Sequence, residues 1–375
     1  MQTDFTEVKK SSIRVPTTDC LGRATLWVLP KLEFSSGPGG VGVSQIELKQ
    51  QVASAAQHGH AGFLFPGQGS QYLGMLSDIA SGEAVISDTF AEASESVSLD
   101  LWSLAQKGPA EAQALTENTQ PLILTASVAL YRLWLQRGGR VPSVLAGHSL
   151  GEFSALVASE CLAFGDAVQI VRLRGQAMQA AVPVGTGAMA AVLGLADDTI
   201  NTICADVSVN TDTQVLAVNF NSPGQVVIAG HAGAVKNASL ALKSAGAKRV
   251  LSLPVSAPFH TPLMQPAAVA LSDALENVEL ADAQVPVISN VNARPHTDSK
   301  TIAQLLVQQV VAPVQWTSCV QTMIEMGCAD FVECGPGKVL SGLMRRIDRS
   351  KPCYGIESPA ALLEALNQPA EVPLA

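Results

Sequence analysis

The chain has 375 residues, 47 % hydrophobic and 15 % charged, a globular composition with ample core for one or two domains. A formal net charge of -9 and a pI near 5.2 argue against nucleic acid as a partner, and no apolar run reaches the roughly 20 residues of a membrane span. Seven scattered cysteines without CxxC or metal-ligand spacing read as reduced thiols of a cytoplasmic protein, and no metal site is expected.

Residues 1–60 differ from the rest. They hold Ser35-Ser36-Gly37-Pro38-Gly39-Gly40, mixed charges and no sustained period, and lack a secretory signal. Asp4, Glu7, Asp19, Glu33 and Glu47 count against an organelle leader, although targeting by this segment stays open. It reads as a poorly ordered extension without assigned chemistry.

The domain begins with a buried strand, Ala61-Gly62-Phe63-Leu64-Phe65, running into Pro66-Gly67-Gln68-Gly69-Ser70-Gln71. The two glycines let backbone approach a ligand, yet neither a Lys-Ser/Thr nor GxGxxG spacing makes this a phosphate loop. A helix is expected over 119–137, with Thr119 as N-cap and Gly138-Gly139 as stop.

The apolar run Val144-Leu145-Ala146 then ends in Gly147-His148-Ser149-Leu150-Gly151, and an amphipathic segment starts at Glu152. This is the strand–turn–helix context of a GxSxG nucleophile elbow. Ser149 would project its Oγ at the sheet edge, above the positive end of the new helix, with the backbone N–H of Leu150 facing an oxyanion. In the next helix, 164–182, Ala167, Ile170, Val171, Arg174, Ala177, Met178 and Ala181 form one stripe. A guanidinium on an apolar face needs a partner. Arg174 therefore has either an internal carboxylate or the carboxylate of a bound substrate.

From 187 to 255 the order β-α-β-β-α-β predicts an inserted ferredoxin-like subdomain in a larger α/β body, with a cleft between the two as the substrate site. The body comprises 61–186 and 256–370. Of six histidines, His58 and His60 lie in the extension, His148 diverges from its neighbour Ser149, and His231 and His296 follow turn residues. His260, at the subdomain junction, is the candidate base. The turn Cys334-Gly335-Pro336-Gly337-Lys338 reads as a packing turn beside the site.

Phe65-Pro66-Gly67-Gln68-Gly69-Ser70-Gln71, Gly147-His148-Ser149-Leu150-Gly151-Glu152, Arg174-Gly175 with Met178-Gln179, Phe259-His260 and Glu333-Cys334-Gly335-Pro336-Gly337-Lys338 occur together and in order. From about residue 61 to 365 the chain thereby resembles the malonyl-CoA:acyl carrier protein transacylases of bacterial fatty acid synthesis, relatives of polyketide synthase acyltransferase domains. The resemblance implies an α/β-hydrolase-like body with a parallel sheet, and a ping-pong transfer through a malonyl ester on Ser149. It implies His260 as general base in a Ser–His dyad, oriented by the backbone carbonyl of Gln309. The backbone N–H groups of Gln68 and Leu150 become the oxyanion hole, Arg174 the malonyl-carboxylate ligand and Phe259 a selectivity residue against an α-methyl.

No bound cofactor is implied. The substrates are malonyl-CoA and the phosphopantetheine thiol of holo-acyl carrier protein, the expected partner of a monomer. That acidic partner would dock on a local basic patch drawn from Lys243, Lys248, Arg249, Lys338, Arg345 and Arg346. Three alternatives remain: a free-standing polyketide acyltransferase, an α/β-hydrolase-type esterase or thioesterase, and a non-catalytic carrier-binding remnant. The missing HGGG-type loop counts against the second, and the intact Ser149, His260 and Arg174 against the third.

Overall fold

The computed structural model describes residues 13–18, 24–29, 60–211, 213–255 and 257–368. The chain divides into two compact units, residues 1–56 and 57–375. In the first, strands β1 (Ile13–Thr18) and β2 (Ala24–Leu29) pair antiparallel. The rest of 1–59 lies outside the described residues, and with it the reading of that segment as poorly ordered.

The second unit is a mixed α/β structure. Its short apolar runs form β3 (His60–Phe65) and β4 (Val144–Gly147), hydrogen-bonded in parallel from Gly62↔Val144 to Phe65↔Gly147. Four further strands, β9 (Val287–Ile288), β10 (Pro295–His296), β11 (Cys328–Glu333) and β12 (Cys353–Gly355), complete a six-stranded sheet ordered β10-β9-β4-β3-β11-β12. All neighbours are parallel except β10 against β9. Strands buried on both faces read as continuous apolar runs, which explains Phe63-Leu64-Phe65 and Val144-Leu145-Ala146.

Between 187 and 255 four other strands, β5 (Gly187–Leu193), β6 (Val215–Ser222), β7 (Gln225–His231) and β8 (Arg249–Ser252), form a separate antiparallel sheet in the order β6-β7-β5-β8. Helices Asp197–Thr211 and Ala232–Ser244 cover it, and Val192, Ile200, Val226, Ile228 and Leu242 bury a core of their own. The small sheet is tied to the body where Phe220 donates to the Val314 carbonyl and Val314 donates to that of Val218.

One helix start is corrected. The long helix is Thr116–Gln136, so Thr119 lies inside it and is not its N-cap. Its hydroxyl instead donates 2.6 Å to the Gln113 carbonyl, fastening the short helix that precedes. The predicted stop holds, with Gly138 at φ 76° and Gly139 N–H donating to the Trp134 carbonyl. Among the described residues no helix is long and apolar enough to cross a membrane.

Candidate active site

The site forms where the carboxyl ends of β3, β4, β9 and β11 meet, the edge at which parallel sheets offer their loops to ligands. The β4 chain turns sharply into helix Gly151–Ala158, with Ser149 at φ 51°. A left-handed serine costs about 1–3 kcal/mol and persists only where its surroundings hold it. The two glycines make the turn possible. A Cβ on Gly147 would lie 1.8 Å from the Gly151 carbonyl carbon, and one on Gly151 would lie 2.0 Å from the Phe65 oxygen. Asn290, just beyond β9, latches the turn: its Oδ1 accepts from Ser149 N–H at 2.7 Å and its Nδ2 donates to the Gly147 carbonyl at 2.7 Å.

His260 is also left-handed, φ 62°, and 4 % exposed. Its Nε2 lies 2.8 Å from Ser149 Oγ, and its Nδ1 lies 2.8 Å from the Gln309 backbone carbonyl. A carbonyl only accepts, so Nδ1 carries the proton and Nε2 is left free to receive one from the serine hydroxyl. Burial first, and the Arg174 charge second, push the imidazole down to about 3, so the free site holds it neutral.

Arg174 projects from helix Phe164–Ala180 and is 1 % exposed. Gly175 lets that helix approach closely: a Cβ there would lie 2.7 Å from the Glu117 Cα and the Thr116 oxygen. Of the two readings of Arg174, the internal ion pair is not found among the described residues. Its Nη1 donates to Gln120 Oε1 at 2.9 Å, and its Nη2 donates to Gln309 Oε1 at 2.9 Å and to Ser149 Oγ at 3.3 Å. Its Nε has no partner. Burial lowers the guanidinium to about 10, with Glu152 opposing the shift, so the cation remains charged at neutral pH. A buried cation held only by neutral acceptors, at the hydroxyl of a serine, is a site short of one anion.

The β3 turn lies beside the elbow, since His148 N–H donates to the Phe65 carbonyl and a Cβ on Gly67 would meet the His148 oxygen at 2.4 Å. This brings Gln68 next to the serine turn. Among the described residues, the backbone N–H groups of Gln68 and Leu150 donate to no backbone carbonyl. Phe259 is buried directly before His260, and Gly335 abuts Pro66, where a Cβ would lie 2.2 Å from its Cγ.

His148 turns away from Ser149, its Nε2 2.7 Å from Asn221 Oδ1 on β6. The other described histidine side chains are used locally: His231 Nδ1 accepts from Gln214 N–H, and His296 pairs with Asn292. Lys243, Lys248, Arg249, Lys338, Arg345 and Arg346 are exposed. Among the described residues no three His, Cys, Asp or Glu side chains gather as a metal site.

Three contributors escape the sequence reading: Asn290, the side chain of Gln309, and Glu152. Glu152, 3 % exposed, accepts on Oε2 from Asn290 N–H at 3.0 Å and from Gln309 Nε2 at 2.8 Å. Burial raises its carboxyl to about 7. Its place in the elbow motif was visible; its partners, 138 and 157 residues away, were not.

A family model for the acyl transferase domain matches residues 62–354. A malonyl CoA-acyl carrier protein transacylase of Escherichia coli K12 is 50 % identical over 306 residues, 81 % of this chain and 98 % of the relative. The corresponding transacylase of Bacillus subtilis is 43 % identical over 305 residues, 81 % of this chain and 96 % of the relative. The solved malonyl CoA-acyl carrier protein transacylase of Coxiella burnetii superposes with a TM-score of 0.82 at 42 % identity, covering 84 % of this chain and 99 % of its own. A structure of a type II PKS acyl-carrier protein in complex with its malonyl-transacylase superposes at 0.80 with 47 % identity, covering 82 % and 99 %.

Proposed function

The chain belongs to the acyl transferase family, in its malonyl-CoA:acyl carrier protein transacylase branch, and from that premise we propose that it moves malonyl from coenzyme A to the phosphopantetheine thiol of an acyl carrier protein. The observation that carries the reading is the convergence of His260 Nε2 and Arg174 Nη2 on the one atom Ser149 Oγ.

In the first half-reaction Ser149 Oγ attacks the thioester carbonyl as its proton passes to His260 Nε2. The Gln309 carbonyl holds the imidazolium through Nδ1–H. The backbone N–H groups of Gln68 and Leu150 stabilise the tetrahedral oxyanion, donors of this kind contributing about 3–4 kcal/mol each. The tetrahedral adduct collapses, the C–S bond breaks, and coenzyme A leaves as a thiol with the proton from His260. The carrier thiol then repeats these steps in reverse order of proton flow and takes malonyl from the ester.

Arg174 pairs with the free malonyl carboxylate, which supplies the missing anion and aligns the acyl group for one incoming thiol. The same pairing favours malonyl over uncharged acyl groups. The Phe259 ring limits an α-substituent. The exposed basic residues from Lys243 to Arg346 serve an acidic carrier. The order β6-β7-β5-β8 and its separate core support reading 187–255 as a ferredoxin-like insertion, and the elbow on a parallel sheet supports an α/β-hydrolase-like body at 61–186 and 256–370.

Intact mass of the protein mixed with malonyl-CoA, beside Ser149→Ala, tests the proposal. A malonyl adduct on the parent alone, stable in water and moved onto a holo-carrier, is expected. Discharge by water as fast as by the carrier would make the chain a hydrolase, and absence of any adduct would end the serine mechanism. A second reading keeps the chemistry and changes the carrier, because one similar structure pairs a malonyl-transacylase with a type II PKS acyl-carrier protein. Competition between fatty-acid and polyketide holo-carriers for the same malonyl-enzyme separates the two.

A further inference from the structure

Arg174 and Glu152 are a buried cation and a buried carboxyl group that do not touch. One side chain joins them: Gln309 accepts from Arg174 Nη2 on Oε1 at 2.9 Å and donates from Nε2 to Glu152 Oε2 at 2.8 Å. Guanidinium can only donate, and Glu152 Oε2 acts as acceptor to both Gln309 Nε2 and Asn290 N–H, so the two ends favour one orientation of the amide and oppose its flip. The Gln309 nitrogen also reaches the Ser149 carbonyl, at 3.0 Å.

The same Glu152 oxygen accepts from the backbone N–H of Asn290, whose side chain holds both the Ser149 N–H and the Gly147 carbonyl. One buried oxygen thus anchors two amides. The first aims the guanidinium, and the second fixes the left-handed serine. No step of the transfer reaction requires Glu152 to exchange a proton or touch the acyl group.

We propose that Glu152 is a positioning residue, whose Oε2 sets malonyl selectivity by orienting Arg174 through Gln309 and holds the nucleophile's backbone through Asn290. The inference rests on the transfer reaction proposed above. Without that acceptor the Gln309 nitrogen keeps the Ser149 carbonyl and only a longer contact, 3.4 Å, to Asn290 Oδ1, so the amide is held less firmly and the guanidinium is aimed less sharply at Ser149. Malonyl, which needs the aimed cation, then loses more than acetyl, which does not. A residue that merely supported the fold would lower both substrates together.

The test compares acylation by malonyl-CoA and acetyl-CoA in the full chain, by intact mass and rate, for the parent, Glu152→Met and Glu152→Gln. Methionine fills the volume without a strong acceptor. Glutamine loses the charge but keeps an oxygen where Oε2 stands, with its amide nitrogen in the place of Oε1. The expected result for Glu152→Met is a fall of at least tenfold in the ratio of malonyl to acetyl kcat/KM. Rescue of that ratio to within about threefold of the parent is expected for Glu152→Gln.

An unchanged ratio in a folded Glu152→Met would overturn the inference, as would a Glu152→Gln that loses the ratio as fully as Met. Glu152→Gln decides the matter by itself if the methionine variant fails to fold, since loss of selectivity with the oxygen retained contradicts the proposal. A parent that takes no malonyl overturns the transfer reaction and this inference together; an acylated parent with either contrary variant result overturns the inference alone.

Discussion

The two sheets of the second unit are built from similar residues and differ in what they tolerate. Among the described residues of the body, six non-glycine residues take positive φ, Ser149 and His260 among them, and the buried set includes Glu152, Arg174, Asn290 and Gln309. In the small sheet, its helices and their turns, the positive φ positions at 194, 224, 230 and 246 are all glycine, and among the described residues only Asn221 and Ser222 are buried polar residues. Strain and buried polarity concentrate where the reaction is proposed to occur, and the antiparallel unit follows ordinary rules of local propensity. The body holds its costly groups with a network of amides; the small unit has an aliphatic core and little to hold.

Substitutions should separate these regimes. His260→Ala removes the imidazole that lies 2.8 Å from the Ser149 hydroxyl, and under the proposed mechanism kcat/KM for malonyl transfer should fall by about 10²–10⁴-fold, measured by stopped-flow acylation. Arg174→Met removes the buried cation, and the malonyl rate should fall by roughly 10²-fold, the effect of about 2–5 kcal/mol for losing one member of a desolvated charge pair. Acetyl transfer should fall far less, so a parallel decline in both substrates would assign Arg174 to the fold.

A pH series sharpens the contrast by sign. The folded His260 sits at about 3, below its ordinary value of 6.5, so the unfolded chain binds more protons in that window. Its neutral burial therefore supports stability above pH 6.5 and loses that support as pH falls toward 3. Glu152 works the other way, because a carboxyl raised from 4.5 to about 7 lowers stability as pH rises through that interval. Comparing thermal midpoints of the parent with His260→Gln cancels the Glu152 contribution to first order. The variant should lose less stability on acidification from pH 6.5; an identical slope would refute the assignment.

The smallest effect on activity belongs to the other sheet. Ile228→Ala, at a fully buried position of the small core, should cost about 2–5 kcal/mol in denaturant unfolding yet leave kcat/KM per folded molecule within about threefold. A large loss of activity would show that the small unit shapes the site more closely than its separate core suggests.

Legibility in the sequence followed locality. The elbow could be read because strand, glycine, serine, glycine and helix are adjacent in the chain, and Arg174 because helical spacing exposes a charge on an apolar stripe. Helix Ala84–Val97 carries the same kind of signal, in Ile86, Phe90, Ala93 and Val97, with no motif to draw attention to it. Strand β8 stops at Ser252: Leu253 N–H still donates to the Met189 carbonyl, but Pro254 has no N–H to give and Val255 N–H turns back to the Leu253 carbonyl. The Asn290 latch and the Gln309 bridge had no local trace. Asparagine and glutamine are ordinary surface residues until distant strands bring them under a turn, and no spacing rule links position 152 to 290 and 309.

The imidazole of His260 is aligned by a main-chain oxygen, and a main-chain atom has no codon. Any residue placed at 309 without disturbing the end of its helix still presents that carbonyl, whereas the side chain there, which holds the arginine, can be exchanged by a single base change. The alignment of this imidazole is thus insulated from side-chain changes at 309, while the hold on the arginine is exposed to them.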